Sequence, residues 1–293
     1  MKITAKLFGG IGNQLFIYAA VRRLALNNNC SLFLDISSGF ASDQVYKRTF
    51  QLNHFKISNE VSFIYTKNTF IKKILRRINI FINNLLPFNF RYYIIQYGND
   101  FDPRIIRIKN LFNLFIEGYW QSEFYFSDIE KIIRSELEII PPTDNLNKLT
   151  SELILSSESV SVHIRFFNVD DVQNSLNIID YLKNSFNIIE SKCYNPKFFI
   201  FSNDLDQARE LSILKFRNCT FIGHNYGDDQ AYADLWLMSL CKHHIISNST
   251  FSWWGAWLAN NQDGIIISPN IVSKDNIVSW GFDGNLPSHW IKI

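Results

Sequence analysis

The chain has 293 residues, of which 47% are hydrophobic, and a formal net charge of +2. This length suits a globular protein of two ordinary domains, and the near-neutral charge gives no reason to expect a nucleic-acid partner. The longest apolar stretches, such as residues 78–90, are interrupted by Asn and Pro before they reach the length of a membrane span, so no transmembrane anchor is expected.

The amino-terminal segment has the pattern of a β-α-β unit. A strand is predicted at residues 3–8, a turn at 9–14, a helix at 15–26 and a second strand at 31–36. Apolar residues recur at helical spacing within the predicted helix. The pattern therefore predicts the opening of a Rossmann-like domain.

The turn after the first strand is rich in glycine. Gly10 and Gly12 would let the backbone approach a ligand closely, and Asn13 places an amide donor at the start of the helix. Followed by Asp35, the turn also resembles part of a dinucleotide fingerprint, although Leu15 stands where that fingerprint has its third glycine. A dinucleotide site is thus an alternative to a more general ligand-binding loop.

The middle of the chain is less regular and locally basic. Helices are predicted at 69–86 and 127–134, and residues 67–109 contain nine Lys or Arg against two Asp. This basic stretch is compatible with peripheral contact to an anionic membrane. A solvated basic helix face is the alternative.

Two prolines mark the predicted boundary between domains. Pro141 and Pro142 open a run of turn-forming residues, the best linker signal in the chain. We therefore predict an amino-terminal domain at 1–144 and a carboxy-terminal domain at 145–293.

Strands and helices alternate in the carboxy-terminal half. Strands are predicted at 160–167, 198–202, 219–222, 244–247 and 264–268, with helices at 176–192, 205–214, 228–242 and 252–260. This alternation predicts a parallel sheet covered by helices on both faces. Ligands in such sheets bind beyond the carboxyl ends of the strands.

Polar residues cluster at those carboxyl ends. His163 and Arg165 lie two residues apart and so share one face of a strand, where an arginine can hold a diphosphate. Pairing of Arg165 with a surface carboxylate is the structural alternative. Asn203 follows the next strand and is a further candidate for ligand binding.

The segment 247–257 changes from small hydroxyl and amide residues to tryptophans. Ser249, Thr250 and Phe251 stand beside the predicted start of a helix, where free N–H groups and the helix dipole favour an anion such as phosphate. A capped helix with a tryptophan core is the alternative interpretation.

Asp234 lies in a largely apolar predicted helix. A carboxylate in such surroundings is usually partnered, and a guanine edge could donate two N–H groups to it. Helix capping or an ion pair would explain the residue equally well.

No metal or covalent site is predicted. Asp204 and Asp206 superficially match a metal-diphosphate motif, but both begin a helical pattern, so N-capping is the simpler explanation. His243 and His244 are adjacent on a strand, so their side chains diverge. The four cysteines are far apart and no signal peptide precedes the first strand, which predicts reduced thiols in a cytoplasmic protein.

Taken together, these segments resemble the bacterial α-1,2-fucosyltransferases of glycosyltransferase family 11. The matching motifs run in order along the chain, at 9–16 (GGIGNQLF), 34–35 (LD), 118–121 (GYWQ), 162–165 (VHIR), 199–202 (FIFS), 234–239 (DLWLMS) and 245–256 (IISNSTFSWWGA). The last motif is close to diagnostic for the family.

The resemblance implies an α/β, GT-B-like fold of two Rossmann-type domains whose parallel sheets face a central cleft. It implies an inverting enzyme that moves L-fucose from GDP-β-L-fucose to a galactose-containing oligosaccharide, without an obligatory metal or other cofactor. A lipid-linked acceptor in O-antigen-type surface polysaccharide synthesis would fit this activity. Asn13 would reach the sugar.

The resemblance implies that the domain at 1–144 is the acceptor side and that the domain at 145–293 binds the GDP-sugar. It also implies roles for residues of this second domain. Arg165 would neutralise the leaving diphosphate, and Ser249 and Thr250 would donate to the same phosphates. Asp234 would bind the guanine, and His163 would support the nucleotide side of the site.

One motif departs from the family pattern. A second Arg, then Gly-Asp, normally follows His-x-Arg, whereas this chain has Phe166, Phe167 and Asn168. Asp170 and Asp171, shifted by two or three positions, are candidates for the missing carboxylate as general base or positioning group. Two other functions stay open: a transferase with another donor or acceptor, and a nucleotide-binding protein with impaired turnover.

Overall fold

The computed structural model describes residues 1–43, 45–67, 69–98, 100–109, 113–166, 172–261, 263–270 and 286–293. The described residues form two compact units, Met1–Ile139 and Ile140–Ile293. The predicted boundary at residue 144 falls in the proline-containing segment that follows the first unit.

The first unit is built on a parallel sheet. Its elements are β1 (Lys2–Lys6), α1 (Ile11–Asn27), β2 (Ser31–Asp35), β3 (Val61–Ile64), α2 (Phe70–Leu85), β4 (Tyr93–Ile95), α3 (Pro103–Arg107), β5 (Leu114–Glu117) and α4 (Glu130–Glu136). All neighbouring strands run parallel, in the order β3-β2-β1-β5-β4.

Helix α1 begins at Ile11, before the predicted start at residue 15, because the extended backbone of Gly10 serves as its N-cap. Residues 11–25 are all buried, so the helix lies in the core of the unit. Two buried arginines fix its far end: Arg22 is paired with Glu136, and Arg23 with Asp128, each at 2.8 Å. The predicted β-α-β opening is confirmed.

The second unit contains a parallel sheet with helices between its strands. Its elements are α5 (Asn145–Leu155), β6 (Ser159–Ile164), α6 (Val172–Lys192), β7 (Lys197–Ser202), α7 (Leu205–Arg209), β8 (Cys219–Phe221), α8 (Ala231–Leu240), β9 (His243–Ile245), α9 (Thr250–Trp257), β10 (Ile266–Ser268) and β11 (Ile291–Lys292). The strand order is β11-β10-β9-β6-β7-β8, again with parallel neighbours.

The core of the second unit explains why its strands could be predicted. Every residue of β6 is buried, as expected for a parallel strand covered on both faces. Phe186 of α6 packs edge-on against Phe198 of β7, with ring centroids 4.9 Å apart. The predicted α/β class with two parallel sheets is confirmed.

Several short elements differ from the predictions. Strands β3, β4, β5 and β11 have two to four residues each, too short for a periodic pattern, and were not predicted. The helix predicted at 205–214 ends at Arg209 and is followed by a separate 3₁₀ turn at Ser212–Leu214. Within the described ranges, no helix combines the length and the apolar character that a membrane span needs.

Candidate active site

A buried histidine lies at the carboxyl end of β6. His163 Nδ1 is 2.7 Å from Ser247 Oγ, which belongs to the loop after β9. Its ring packs against Phe251, with centroids 5.5 Å apart. Burial, assisted by the charge of Arg165, lowers the pKa of His163 to about 3. The ring is therefore neutral at physiological pH, and the Ser247 hydrogen bond fixes its orientation.

Arg165 follows the last residue of β6 and is half-buried. Its guanidinium lies close enough to His163 to disfavour protonation of the ring. A cation at the carboxyl edge of a parallel sheet suits a phosphate-bearing ligand. The predicted carboxylates Asp170 and Asp171 lie outside the described residues.

The loop before α9 is a network of serine hydroxyls. Helix α9 begins at Thr250, two residues before the predicted start, and Ser249 caps it by accepting from Phe251 N–H at 3.3 Å. Ser252 Oγ donates to the carbonyls of Ser247 and Ser249, at 3.3 and 3.2 Å. The capping interpretation is thus confirmed. The first turn of any helix also presents N–H groups to an anion, so capping and phosphate binding are compatible.

The tryptophans of α9 belong to the core. Trp253, Trp254 and Trp257 are each at most 4% exposed, and the rings of Trp253 and Trp257 are stacked. Gly255 faces α8, where an added Cβ would lie 3.0 Å from the Cβ of Met238. This glycine lets α8 and α9 pack closely.

Asp234 lies half-buried in the first turn of α8. Asn225 Nδ2 donates to its Oδ1 at 2.8 Å, and Asn225 and Asn147 exchange hydrogen bonds at 2.8 and 3.1 Å. Burial raises the pKa of Asp234 to about 7, and the bond from Asn225 offsets part of this rise. No ion pair to Asp234 is found among the described residues. The carboxylate can therefore accept further N–H groups.

Two residues that position the site were not predicted in that role. Asn203, predicted as a ligand-binding residue, bonds both the N–H and the C=O of Phe166, at 2.9 and 3.1 Å. It therefore holds the backbone just after Arg165, and its contact with a ligand stays a prediction. Tyr181 Oη lies 2.6 Å from the carbonyl oxygen of Ile246 and so ties α6 to the loop before α9. No sequence motif marks Tyr181.

The acidic pair after β7 has a structural role. Asp204 accepts from Gln207 N–H at 2.9 Å and caps α7, as predicted. Asp206 is exposed and paired with Arg209 at 2.8 Å. The two carboxylates are used locally and do not form a joint binding site.

Three potential metal ligands meet at the amino edge of the same sheet. His243 Nε2 lies 2.8 Å from Glu158 Oε1 and 3.4 Å from Cys193 Sγ. Because His243 Nδ1 accepts from Ile265 N–H at 3.0 Å, the proton of the neutral ring resides on Nε2 and is donated to Glu158. A metal would need the lone pair of that nitrogen, so the geometry fits a hydrogen-bonded cluster better than a metal site.

In the first unit, glycine shapes the turn before α1. Gly9 has φ +78°, and a Cβ there would lie 2.7 Å from Asn13 Nδ2 and 3.2 Å from the ring of Tyr119. Asn13 is buried, and its Oδ1 accepts from Gln121 Nε2 at 2.9 Å. The GYWQ motif thus holds the glycine turn, a link between distant segments that was not predicted.

The two predicted ligand-binding glycines occupy different positions. Gly10 is the N-cap of α1, and a Cβ there would lie 3.7 Å from the guanidinium of Arg48, which was not predicted as a site residue. Gly12 is buried within the first turn of α1, so its predicted place in a loop was wrong. The N–H groups of Gly10, Ile11 and Gly12 belong to a helix start rather than to an open loop.

Asp35 has the position that a dinucleotide site would require, but its carboxylate already accepts hydrogen bonds from neighbouring residues. It accepts hydrogen bonds from the N–H and hydroxyl groups of both Ser37 and Ser38, at 2.6 to 3.1 Å. Burial alone would raise the pKa of Asp35, but these hydrogen bonds lower it overall. The geometry therefore gives the dinucleotide alternative no support.

Sequence similarity to known proteins extends over nearly the whole chain. The sequence model described as Glycosyl transferase family 11 matches residues 3–293. An alpha-1,2-colitosyltransferase of Escherichia coli is 33% identical over 304 aligned positions, covering 99% of this chain and 98% of that protein. The O-antigen biosynthesis glycosyltransferase WbnK of Escherichia coli is 28% identical, covering 94% of this chain and 98% of that protein.

Among solved structures, the NodZ alpha-1,6-fucosyltransferase soaked with GDP-fucose, an enzyme of Bradyrhizobium, superposes with a TM-score of 0.54. The two sequences are 14% identical, and the match covers 88% of this chain and 92% of that chain. The likeness supports the GT-B-like fold class that was predicted.

Proposed function

The chain belongs to glycosyl transferase family 11, and from that premise we propose that it is an inverting α-1,2-fucosyltransferase. It moves L-fucose from GDP-β-L-fucose to a galactose hydroxyl of a glycan acceptor. The acceptor is an oligosaccharide, carried on a lipid, of the kind that builds O-antigen-type polysaccharide. The four free cysteines of the enzyme fit a reducing, cytoplasmic compartment.

The hydrogen bond between His163 and Ser247 is the observation that supports this proposal best. It joins the carboxyl end of β6 to the loop before α9, and β6 and β9 are neighbouring strands. Arg165 and the amino end of α9 are thereby brought to one edge of the sheet. A cation beside helical N–H groups is the combination that stabilises a diphosphate.

The same edge offers a site for the base of the nucleotide. Asn225 holds Asp234 Oδ1, so the orientation of the carboxylate is fixed before any ligand arrives. Guanine presents two adjacent N–H donors, which a carboxylate accepts in parallel. Binding of guanine would relieve the cost of burying this charge.

The chemistry follows from leaving-group stabilisation. The acceptor hydroxyl attacks the anomeric carbon from the face opposite GDP, the bond from that carbon to the β-phosphate oxygen breaks, and its electron pair leaves with GDP. Arg165 and the N–H groups of α9 oppose the charge that develops on the diphosphate, so the proposal requires no metal. The hydroxyl proton passes to a base, for which Asp170 and Asp171 are the candidates from sequence. Asn13 stays the sequence-based candidate for contact with the sugar.

A transfer assay tests the proposal. Purified enzyme is incubated with GDP-fucose and a β-galactoside, with and without EDTA, and the product linkage is determined by NMR. We expect an α-1,2-fucoside whose yield does not change with EDTA. Absence of GDP binding in calorimetry would overturn the proposal, and GDP binding without transfer would favour the impaired nucleotide-binding protein.

GDP-colitose is a second candidate donor, because a relative at 33% identity is named a colitosyltransferase. Colitose is fucose without the 3-hydroxyl group, so both donors would present the same diphosphate and guanine. The ratio of kcat/KM for GDP-fucose and GDP-colitose, measured with one acceptor, decides between them. A larger value for GDP-colitose would make colitosyl transfer the activity of this enzyme.

A further inference from the structure

Helix α2 exposes its apolar side chains. Those exposed by 41% to 72% are Ile71, Ile74, Leu75, Ile78, Phe81, Ile82 and Leu85. Their spacing of one, three and four residues places them on one face of the helix. Single exposed apolar residues are ordinary, but a contiguous apolar face marks an interaction surface.

The polar side of α2 contacts the protein. Arg76 makes two hydrogen bonds to Glu117 of β5, at 2.9 and 2.8 Å. Asn79 accepts from the Tyr92 hydroxyl at 3.2 Å. Asn83 is 1% exposed and accepts two successive backbone N–H groups at the start of β4, at 2.8 and 2.9 Å. These polar contacts hold the helix with its apolar face outward, the reverse of an ordinary surface helix.

The segment around α2 is strongly cationic. Residues 67–109 carry nine Lys or Arg against two Asp, a net charge of +7 by difference. Since the whole chain has +2, the remainder is at −5. Within this segment Arg104 is paired with Asp102 at 2.7 Å, and Arg76 is paired with Glu117, which lies outside the segment, at 2.8 Å. Arg77 is exposed on the helix itself. The segment thus combines an exposed apolar helix face with a positive net charge.

We propose that α2 lies in the surface of an anionic phospholipid bilayer, with its apolar face among the acyl chains and the surrounding cations at the headgroups. A helix of 16 residues is about 24 Å long, suited to lying in the interface rather than crossing it. A second copy of the chain is a poorer occupant, because it would bring two segments of +7 together. Anionic headgroups neutralise that charge.

Docking on a bilayer would bring a transferase close to an acceptor carried on a lipid. That consequence rests on the proposed function, whereas docking itself does not. The two can therefore fail separately, and a water-soluble acceptor distinguishes them.

Vesicle flotation with the full chain tests the docking. We expect wild-type protein to float with vesicles of phosphatidylglycerol and phosphatidylethanolamine, less so at high salt, and weakly with pure phosphatidylcholine. Combined Ile78→Ser and Phe81→Ser should lower the partition coefficient by about tenfold or more. Arg77→Gln should lower it by about fivefold on anionic vesicles only. Phe216→Ser, at a residue 95% exposed in the second unit, is the matched control and should leave binding unchanged.

Circular dichroism and thermal unfolding establish that the variants are folded, and kcat/KM with a water-soluble acceptor should match wild type. Unaltered flotation of the Ile78→Ser, Phe81→Ser variant would overturn the proposal, as would equal binding to neutral vesicles. A wild-type dimer in sedimentation that becomes a monomer in this variant would also overturn it, because the apolar face would then be covered by a second copy.

Discussion

Each unit of this molecule holds an aspartate near the end of a strand or the start of the following helix, and the two differ in hydrogen bonding. Asp35 in the first unit accepts from two N–H and two hydroxyl groups of Ser37 and Ser38. Asp234 in the second unit accepts from Asn225 alone among the described residues. Accordingly the pKa of Asp35 lies below its usual range, whereas burial raises the pKa of Asp234 to about 7.

The difference separates structural carboxylates from those that can serve a ligand. Asp35 can accept few further hydrogen bonds. In the same unit, the side chain of Gln14 donates to the carbonyls of Gly9 and Thr49 and accepts from the N–H of Gln51. Asp234 carries a desolvation cost that a ligand with N–H groups would reduce. We therefore propose that the nucleotide binds to the second unit and that Asp35 has a structural role.

The largest expected effect comes from Arg165→Ala. Removing a fixed cation beside the leaving diphosphate should lower kcat by about a hundred- to a thousandfold, because the charge on GDP develops in the transition state. Steady-state kinetics with GDP-fucose measures the loss. Arg165→Lys, which keeps the charge but not the bidentate geometry, should lose less. Unchanged turnover in folded Arg165→Ala would remove this residue from the site.

Asp234→Asn should weaken GDP binding by about ten- to a hundredfold, since an amide nitrogen would face the guanine donors. Calorimetry with GDP and with IDP, which lacks the exocyclic amino group, gives the preference of each enzyme for guanine. Wild type should prefer GDP, and the variant should bind both nucleotides alike. An undiminished preference for GDP in the variant would place the guanine elsewhere.

The raised pKa of Asp234 predicts pH-dependent donor binding. Only the ionised carboxylate of Asp234 can accept hydrogen bonds from both N–H groups of guanine. The Kd for GDP should therefore rise by about tenfold per pH unit below pH 7. Because GDP itself titrates, Asp234→Asn supplies the baseline, and the difference between the two profiles isolates the residue. Parallel profiles would contradict the assignment. His163 does not titrate in this window, since its pKa is about 3.

The stability of the fold should depend on pH in the opposite sense to the affinity for GDP. The folded-state pKa of Asp234 lies above the unfolded value of 3.8, so the charge destabilises the fold increasingly as pH rises towards 7 and fully above it. Asp234→Asn should thus gain about 1–3 kcal/mol at pH 8 and little at pH 4. Urea unfolding at the two pH values measures the gain, and a loss of stability at pH 8 would contradict it.

The smallest effect on the donor is expected from Asp35→Asn. GDP affinity should stay within about twofold of wild type, while unfolding at pH 7 should be easier by about 1–3 kcal/mol because serine donors lose their acceptor. Since the pKa of Asp35 is lowered on folding, its stabilisation is present above the unfolded value and is lost as pH falls through the folded value. A large loss of GDP affinity would return the dinucleotide-type site to consideration.

The order of strands and helices in the second unit could be predicted from the sequence, because long apolar segments such as β6 and β7 stand between helical patterns. The first unit was harder. Gly12 and Asn13 are poor helix formers, yet they belong to α1 because Gln121 and the N-cap at Gly10 hold them there. Strands as short as β4 take their structure from pairing with neighbours rather than from their own sequence.

The sequence marks individual candidate residues of the site, but not the hydrogen bonds that support them. His163, Arg165 and Asp234 stand out by their positions after strands or within an apolar helix. Their supports do not, because the bond from Asn147 to Asn225 joins residues 78 apart in sequence. Hydrogen-bond partners so distant in sequence are set by the tertiary fold and cannot be predicted from local sequence patterns.

Hydrogen–deuterium exchange with and without GDP tests the central claim most directly, because it reports both units in one measurement. We expect GDP to slow exchange of the backbone amides of Thr250 to Ser252 in the first turn of α9 and of the turn around Asn225. The amides of Ser37 and Ser38 should exchange as before. Protection confined to residues 9–14 and 35–38 would contradict the assignment of the nucleotide to the second unit.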